Sequence, residues 1–217
     1  MADILSTGNQ SSKTLIMLAA GAGAPVTSAW MERMAGLLAD AGLGVVRFDF
    51  SYMIAREDGG SRRPPPKAEK LIGEYEAAVA TVVGRLGAGQ RLLIGGKSMG
   101  GRVASLAAQS LFDAKTIAGL VCLGYPFHPP DKPDALRTAH LKTLTCPALI
   151  VQGERDPFGG RSEVDGYGLA PAIELRWAVD GDHDFRARRG SGSTLAANMQ
   201  AAAGAIRAFA DGLAQTR

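Results

Sequence analysis

Three residues of this chain have the types and spacing suited to acyl-transfer chemistry: Ser98, Asp156 and His183. Ser98 lies in Leu92-Leu93-Ile94-Gly95-Gly96-Lys97-Ser98-Met99-Gly100-Gly101-Arg102, an apolar strand that passes through Gly-x-Ser-x-Gly into a small-residue helix. A strand-to-helix turn this tight lifts a serine hydroxyl above a sheet, and it needs glycine where backbones approach too closely for a Cβ. A serine hydroxyl is a weak nucleophile until a base lies within hydrogen-bond reach and a third group orients that base. Open α/β sheets place functional groups at the carboxyl ends of their strands, so an acid and a histidine are sought just after later strands. Asp156 follows the apolar run Ala148–Gln152 in Gly153-Glu154-Arg155-Asp156-Pro157, with Glu154 as its substitute. Of the three histidines, His183 in Asp180-Gly181-Asp182-His183-Asp184-Phe185 alone has the required order and place. Each has a plainer alternative: a structural turn for Ser98, a cap before Pro157 for Asp156, and a loop histidine paired to Asp182 or Asp184 for His183.

Acyl transfer also needs two backbone N–H groups for the developing oxyanion. Met99, directly after the serine, offers one, and Ala22 in the bare loop Gly21-Ala22-Gly23 is the candidate for the other. Candidate pocket residues are Gly21, Gly23, Tyr52, Arg63, Tyr125 and His128. His128 has the alternative of a plain loop histidine, and Asp49 either supports the site or caps a turn. Carboxylates adjacent to one histidine in sequence diverge in space, so Asp182 and Asp184 do not make a metal site with His183. No metal and no cofactor are expected. Two basic groups, Arg62, Arg63 and Lys67 in one loop and Arg186, Arg188 and Arg189 in another, either rim the mouth and favour an anionic substrate or face solvent.

Strand and helix signals alternate along the chain, which predicts a three-layer α/β/α sandwich around a mostly parallel sheet of about six strands. Strands are expected at Thr14–Ala20, Val45–Phe50, Leu92–Gly95, Ile117–Leu123, Ala148–Gln152 and Ile173–Val179, with helices between them and a last helix from about Thr194 to Leu213. Residues 1–13 read as a flexible tail ahead of a single domain over residues 14–217. The stretch Ser51–Lys70, with Gly59-Gly60 and Pro64-Pro65-Pro66, reads as a long inserted loop that roofs the site together with Tyr125–Pro130. No large lid is expected. A length of 217 residues suits one full hydrophobic core. The net charge of +3 is too small to argue for nucleic acid, and no apolar run reaches the length of a membrane span. The start lacks signal-peptide features, and Cys122 and Cys146, both in or beside apolar runs, read as reduced thiols. A cytoplasmic protein acting on a small molecule, without nucleic-acid or membrane partners, is the expectation. Oligomeric state is left open.

The motif around Ser98, with the acid and histidine in this order, resembles the α/β-hydrolases over nearly the whole chain. More narrowly, Gly95–Arg102, Gly153-Glu154-Arg155-Asp156-Pro157-Phe158-Gly159, Gly21-Ala22-Gly23-Ala24-Pro25 and Arg62-Arg63-Pro64-Pro65-Pro66 resemble small uncharacterised bacterial hydrolases. That group is similar to the dienelactone-hydrolase branch and to a hydrolase-like domain in a subunit of an animal histone-acetylating complex. The resemblance implies an α/β-hydrolase fold trimmed at its N-terminus. Together with the residues it implies a serine hydrolase acting on a small ester or thioester through an acyl-serine intermediate. The alternative is a hydrolase-fold protein that binds or scaffolds without turnover. Two departures are plain: dienelactone hydrolases carry a cysteine where this chain has Ser98, and many relatives have a histidine where it has Ala20.

Overall fold

The structure, a computed structural model, describes residues 4–57 and 64–215. Its centre is a seven-stranded sheet of β1 (Ile4–Thr7), β2 (Thr14–Ala19), β3 (Gly44–Phe48), β4 (Arg91–Lys97), β5 (Gly119–Leu123), β6 (Ala148–Gly153) and β7 (Ile173–Ala178). The order across the sheet is β1-β3-β2-β4-β5-β6-β7, and every pair except β1·β3 is parallel. Residues of β2, β3, β5 and β6 are buried throughout, as strands covered on both faces must be. The edge strand β7 instead alternates partly buried with exposed positions.

Alternation along β2 divides the core in two. Leu15, Met17 and Ala19 face α3 (Ile72–Val83) and α4 (Met99–Asp113), packing with Tyr75, Val79 and Val103. Ile16 and Leu18 face α1 (Ala29–Asp40) and the C-terminal helix at Leu195–Gln215, packing with Met34, Leu38, Met199 and Ile206. The result is the expected three-layer sandwich. From β2 the chain winds outward to β3 on one side and later returns to β4 on the other. The carboxyl ends of β2 and β4 therefore flank a topological switch point, where open α/β sheets place their ligands.

Two expectations are corrected. Residues 1–13 are not all flexible tail, because Ile4–Thr7 pairs antiparallel with β3, from Ile4 opposite Phe48 to Thr7 opposite Val45. This covers the otherwise unpaired edge of β3 and adds one strand to the six expected. Four residues with mixed exposure carry no period by which to find such a strand. Nor is Ser51–Lys70 a continuous loop. Ser51–Glu57 forms helix α2, and Ala68–Lys70 forms a 3-10 turn. The cap of α2 comes from α3: Glu74 accepts hydrogen bonds from the Ser51 N–H (2.8 Å) and hydroxyl (2.9 Å). Such a cap stands 23 residues away in the chain, beyond the reach of local capping rules. Gly59-Gly60, Arg62 and Arg63 lie outside the described residues.

At the switch point, α4 runs so close to the ends of β2 and β4 that side chains have no room. A Cβ on Gly96 would stand 2.6 Å from the Ala19 carbonyl oxygen, and one on Gly100 would press into the carbonyls of Ala19 and Ala20. Backbone on both sides leaves nothing flexible to give way. Gly100→Ala should therefore cost about 2 kcal/mol or more, as overpacking against fixed backbone does. Gly204→Ala, in the C-terminal helix with open space around the added methyl, should instead gain about 0.5–1 kcal/mol. Urea unfolding of both variants checks the pair. A Gly100→Ala protein as stable as the parent would show that the contact relaxes freely.

Candidate active site

Ser98 stands between β4 and α4 with φ 52° and ψ −115°, a backbone conformation that L-residues rarely adopt. Its N–H donates to the Leu123 carbonyl (2.9 Å) and its carbonyl accepts from the Arg102 N–H (3.0 Å), so the end of β5 and the first turn of α4 both hold the turn. From this position Ser98 Oγ lies 2.9 Å from His183 Nε2, and His183 Nδ1 lies 2.8 Å from Asp156 Oδ2. The carboxylate accepts, so the imidazole proton belongs on Nδ1 and the Nε2 lone pair faces the serine hydroxyl.

Asp156 is fully buried, and burying a carboxylate demands partners. The Phe158 N–H donates to Oδ1 (2.9 Å), and Gln152 Nε2 joins His183 at Oδ2 (2.9 Å). Gln152 is itself wholly buried at the end of β6. It accepts from the Tyr125 N–H (2.7 Å), and its two N–H groups are shared among Asp156 and the Tyr125 and Gly159 carbonyls (3.0 and 3.1 Å), tying the loops after β5 and β6 to the acid. Sequence reasoning missed Gln152, although an amide inside an apolar strand run must find buried partners. Glu154, the substitute acid, is occupied elsewhere: it pairs with Arg161 and accepts from the Asp180 N–H, which lowers its pKa.

The His183 loop is clamped from two sides. Lys97 Nζ donates to the His183 carbonyl (2.8 Å) and pairs with Asp184 (3.3 Å), while Trp30 Nε1 donates to the Asp184 carbonyl (2.9 Å). Burial lowers the Lys97 pKa, and Asp184 opposes that shift. Asp182 caps its own loop, accepting from the N–H groups of Asp184 and Arg186. Phe158 packs on the imidazole with ring centroids 4.5 Å apart.

Met99 opens α4, so its N–H precedes the helix's own hydrogen bonds. The Gly21-Ala22-Gly23 loop lies opposite, and a Cβ on Gly21 would be 3.5 Å from that of Ser98. Two side chains of α2 hold it: Tyr52 Oη donates to the Gly21 carbonyl (3.2 Å) and Arg56 Nη1 to the Ala22 carbonyl (2.8 Å). Across a trans peptide, C=O and N–H point opposite ways, so fixing the Gly21 carbonyl also fixes the direction of the Ala22 N–H. The Arg56 guanidinium lies over the Tyr52 ring at 5.1 Å, and burial pushes the phenol pKa up to about 12. Arg56 carries no local signal in the sequence, because the helix that positions it is capped by Glu74 from α3.

Two cavities meet at Ser98. The smaller, about 360 Å³, is lined by Gly21, Gly23, Trp30, Lys97 and His183; the larger, about 800 Å³, by Met99, Arg102, Arg137 and residues 65–70. Ala22, Ser98 and Phe158 line both. Three candidate pocket residues line neither. Tyr52 sits behind the loop, Tyr125 is buried with its hydroxyl on the Arg137 carbonyl, and His128 is buried with Nδ1 2.8 Å from the Pro129 carbonyl. The backbone turn after β5 draws both of the latter inward. Arg63, the remaining candidate, lies outside the described residues. Asp49 accepts from the Val26 N–H through both oxygens, at 3.1 Å each. Arg186, Arg188 and Arg189 line neither cavity, and Arg188, with Arg155, pairs to Asp180, whose pKa it lowers.

A family model described as an alpha/beta hydrolase domain matches residues 12–211. The chain belongs to the α/β-hydrolase family. Among solved structures it is similar to a dienelactone hydrolase from Anabaena variabilis, with TM-score 0.69, 21% identity, and coverage of 94% of this chain and 89% of that one. An alpha-beta serine hydrolase homologue from Coxiella burnetii superposes at TM-score 0.66 with 17% identity, covering 94% and 91%. A Xanthomonas campestris protein described as an a/b serine hydrolase without lid gives TM-score 0.63 and 14% identity, covering 96% and 89%. At these identities the likeness establishes the fold. No curated protein matches the sequence.

Backbone strain at Ser98 has a measurable consequence. A positive φ on a residue with a Cβ costs on the order of 1–3 kcal/mol, and glycine escapes it at an entropic cost of up to about 1 kcal/mol. Ser98→Gly should therefore be about 1 kcal/mol more stable than Ser98→Ala, which removes the same hydroxyl and keeps the Cβ. Urea midpoints of the two variants decide this, and equal midpoints would mean that the turn is not strained.

Proposed function

We propose that the protein is a serine hydrolase that cleaves a small ester or thioester through an acyl-Ser98 intermediate. The observation that carries this reading is the hydrogen-bonded chain from Ser98 Oγ through His183 to buried Asp156, at 2.9 and 2.8 Å. His183 Nε2 takes the hydroxyl proton as Oγ attacks the substrate carbonyl, and the carbonyl electrons move onto oxygen. Met99 and Ala22 N–H groups stabilise that oxyanion. The intermediate collapses as the bond to the leaving alcohol or thiol breaks, and His183 returns the proton to the departing atom. Water, activated by the same imidazole, then attacks the acyl-serine and releases the acid. Asp156 keeps the imidazole in the productive tautomer and stabilises its charged form. No step calls for a cofactor.

A fluorophosphonate probe tests the reading directly. Ser98 should be labelled in the parent protein, labelling should vanish in Ser98→Ala, and Asp156→Asn should slow ester turnover by about ten-thousand-fold. A folded protein that resists the probe would favour the binding or scaffolding alternative. Freeing the oxyanion loop should act more mildly. Tyr52→Phe combined with Arg56→Met should lower kcat about tenfold or more with little change in KM, because donors aimed at the oxyanion act in the transition state. A change confined to KM would place these two side chains in ground-state binding instead.

A further inference from the structure

Resting on the hydrolase reading, we infer that the larger cavity binds a carboxylate or phosphate carried by the acyl part of the substrate, with Arg102 and Arg137 as its specificity-determining residues. The cavity wall carries Lys67, Lys70, Arg102 and Arg137 against one carboxylate, Glu69. Arg102 gives Nη2 to Glu69 (2.6 Å), and its Nε is buried with no hydrogen-bond partner among the described residues. Arg137 has no carboxylate partner there, and its side chain makes only a long contact to the Pro126 carbonyl (3.5 Å). Burial and the neighbouring Arg102 charge lower its pKa, with Tyr125 and the single carboxylate Glu69 opposing that shift. Two guanidiniums held near each other, partly desolvated and short of counter-charge, are a poor arrangement unless an anion joins them. Met99, at the positive end of α4, adds to the same potential.

The side of the scissile bond follows from the proton path. His183 must return its proton to the leaving atom, so the leaving group belongs in the cavity that His183 lines. That is the smaller one, whose wall is mostly apolar. The larger cavity shares Ser98 with it but is not lined by His183, and therefore receives the acyl chain. The basic rim expected from the loop after the last strand is not what supplies the charge. The two guanidiniums come from the helix behind Ser98 and from the segment after β5, and Lys67, one of the expected basic loop residues, joins them with Lys70 from the segment before α3.

Hydrolysis of 4-nitrophenyl hemiglutarate should exceed that of its methyl-capped diester by about tenfold or more in kcat/KM, with the advantage shrinking as salt rises to about 0.5 M. Arg137→Gln and Arg102→Gln should each bring the ratio of the two rates toward one. Arg137→Lys should retain part of the ratio, and Glu69→Gln should raise it. A matched pair with the charge on the other side, the acetyl ester of 4-hydroxybenzoate and that of its methyl ester, should show no such preference. Equal rates for the glutarate pair, or a preference for the charged leaving group, would overturn the assignment while fluorophosphonate labelling of Ser98 still stands. Absence of labelling in the parent protein would overturn the hydrolase reading and the subsite with it.

Discussion

The close crossing of α4 over the carboxyl ends of β2 and β4 is the constraint on which the site depends. Glycine at positions 96 and 100 lets the helix start against bare carbonyls of Ala19 and Ala20. The chain must then reverse within one residue, and Ser98 takes the strained conformation that results. Two chemical properties follow from the same crossing. The serine hydroxyl is lifted clear of the sheet, and the first N–H of α4 stands beside it with no helical acceptor.

A second constraint is the charge on Asp156. A fully buried carboxylate is tolerable only with its lone pairs occupied, and here the Phe158 N–H, Gln152 and His183 occupy them. Because Gln152 also holds both the N–H and carbonyl of Tyr125, the acid cannot move without disturbing the end of β5. That strand end in turn holds Ser98 through the Leu123 carbonyl. Ser98 and Asp156, 58 positions apart in sequence, are thus fixed to one another through strand backbone. His183 is set between them by Lys97 and Trp30, which act on the backbone carbonyls of His183 and Asp184 and leave both imidazole nitrogens to Ser98 and Asp156.

What could be read from sequence was whatever local periodicity or chain order records. The buried runs of β2, β5 and β6 announce themselves as apolar segments. The glycines around Ser98 mark a tight turn, and the positions of Asp156 and His183 after later strands follow from the order of the fold. What could not be read is held by contacts distant in sequence. Strand β1 exists because β3 has an edge to pair, and α2 because Glu74 caps it. Tyr125 and His128 looked available because they follow a strand end, yet the chain turns both rings inward. In sequence, Arg102 is only the end of the Ser98 motif. Its meaning depends on Arg137 and Glu69, which meet it only in the folded chain.

The loop at Gly21-Ala22-Gly23 shows how one task can be met from different elements. The residue directly before the loop is Ala20, a buried methyl with no hydrogen-bonding capacity. Orientation of the loop is supplied from α2, by Tyr52 and Arg56. Both act on carbonyl oxygens, and that is sufficient because a peptide unit is rigid. Holding the oxygen of the Gly21–Ala22 peptide sets the direction of its N–H without placing any side chain in the path of a substrate. In the proposed reaction the Ala22 N–H need only be aimed at the oxyanion, and any element able to grip the far side of that peptide plane can aim it. Helix α2 lies beside the loop and outside both cavities, which lets it do so while the cavities themselves stay open to vary with the substrate.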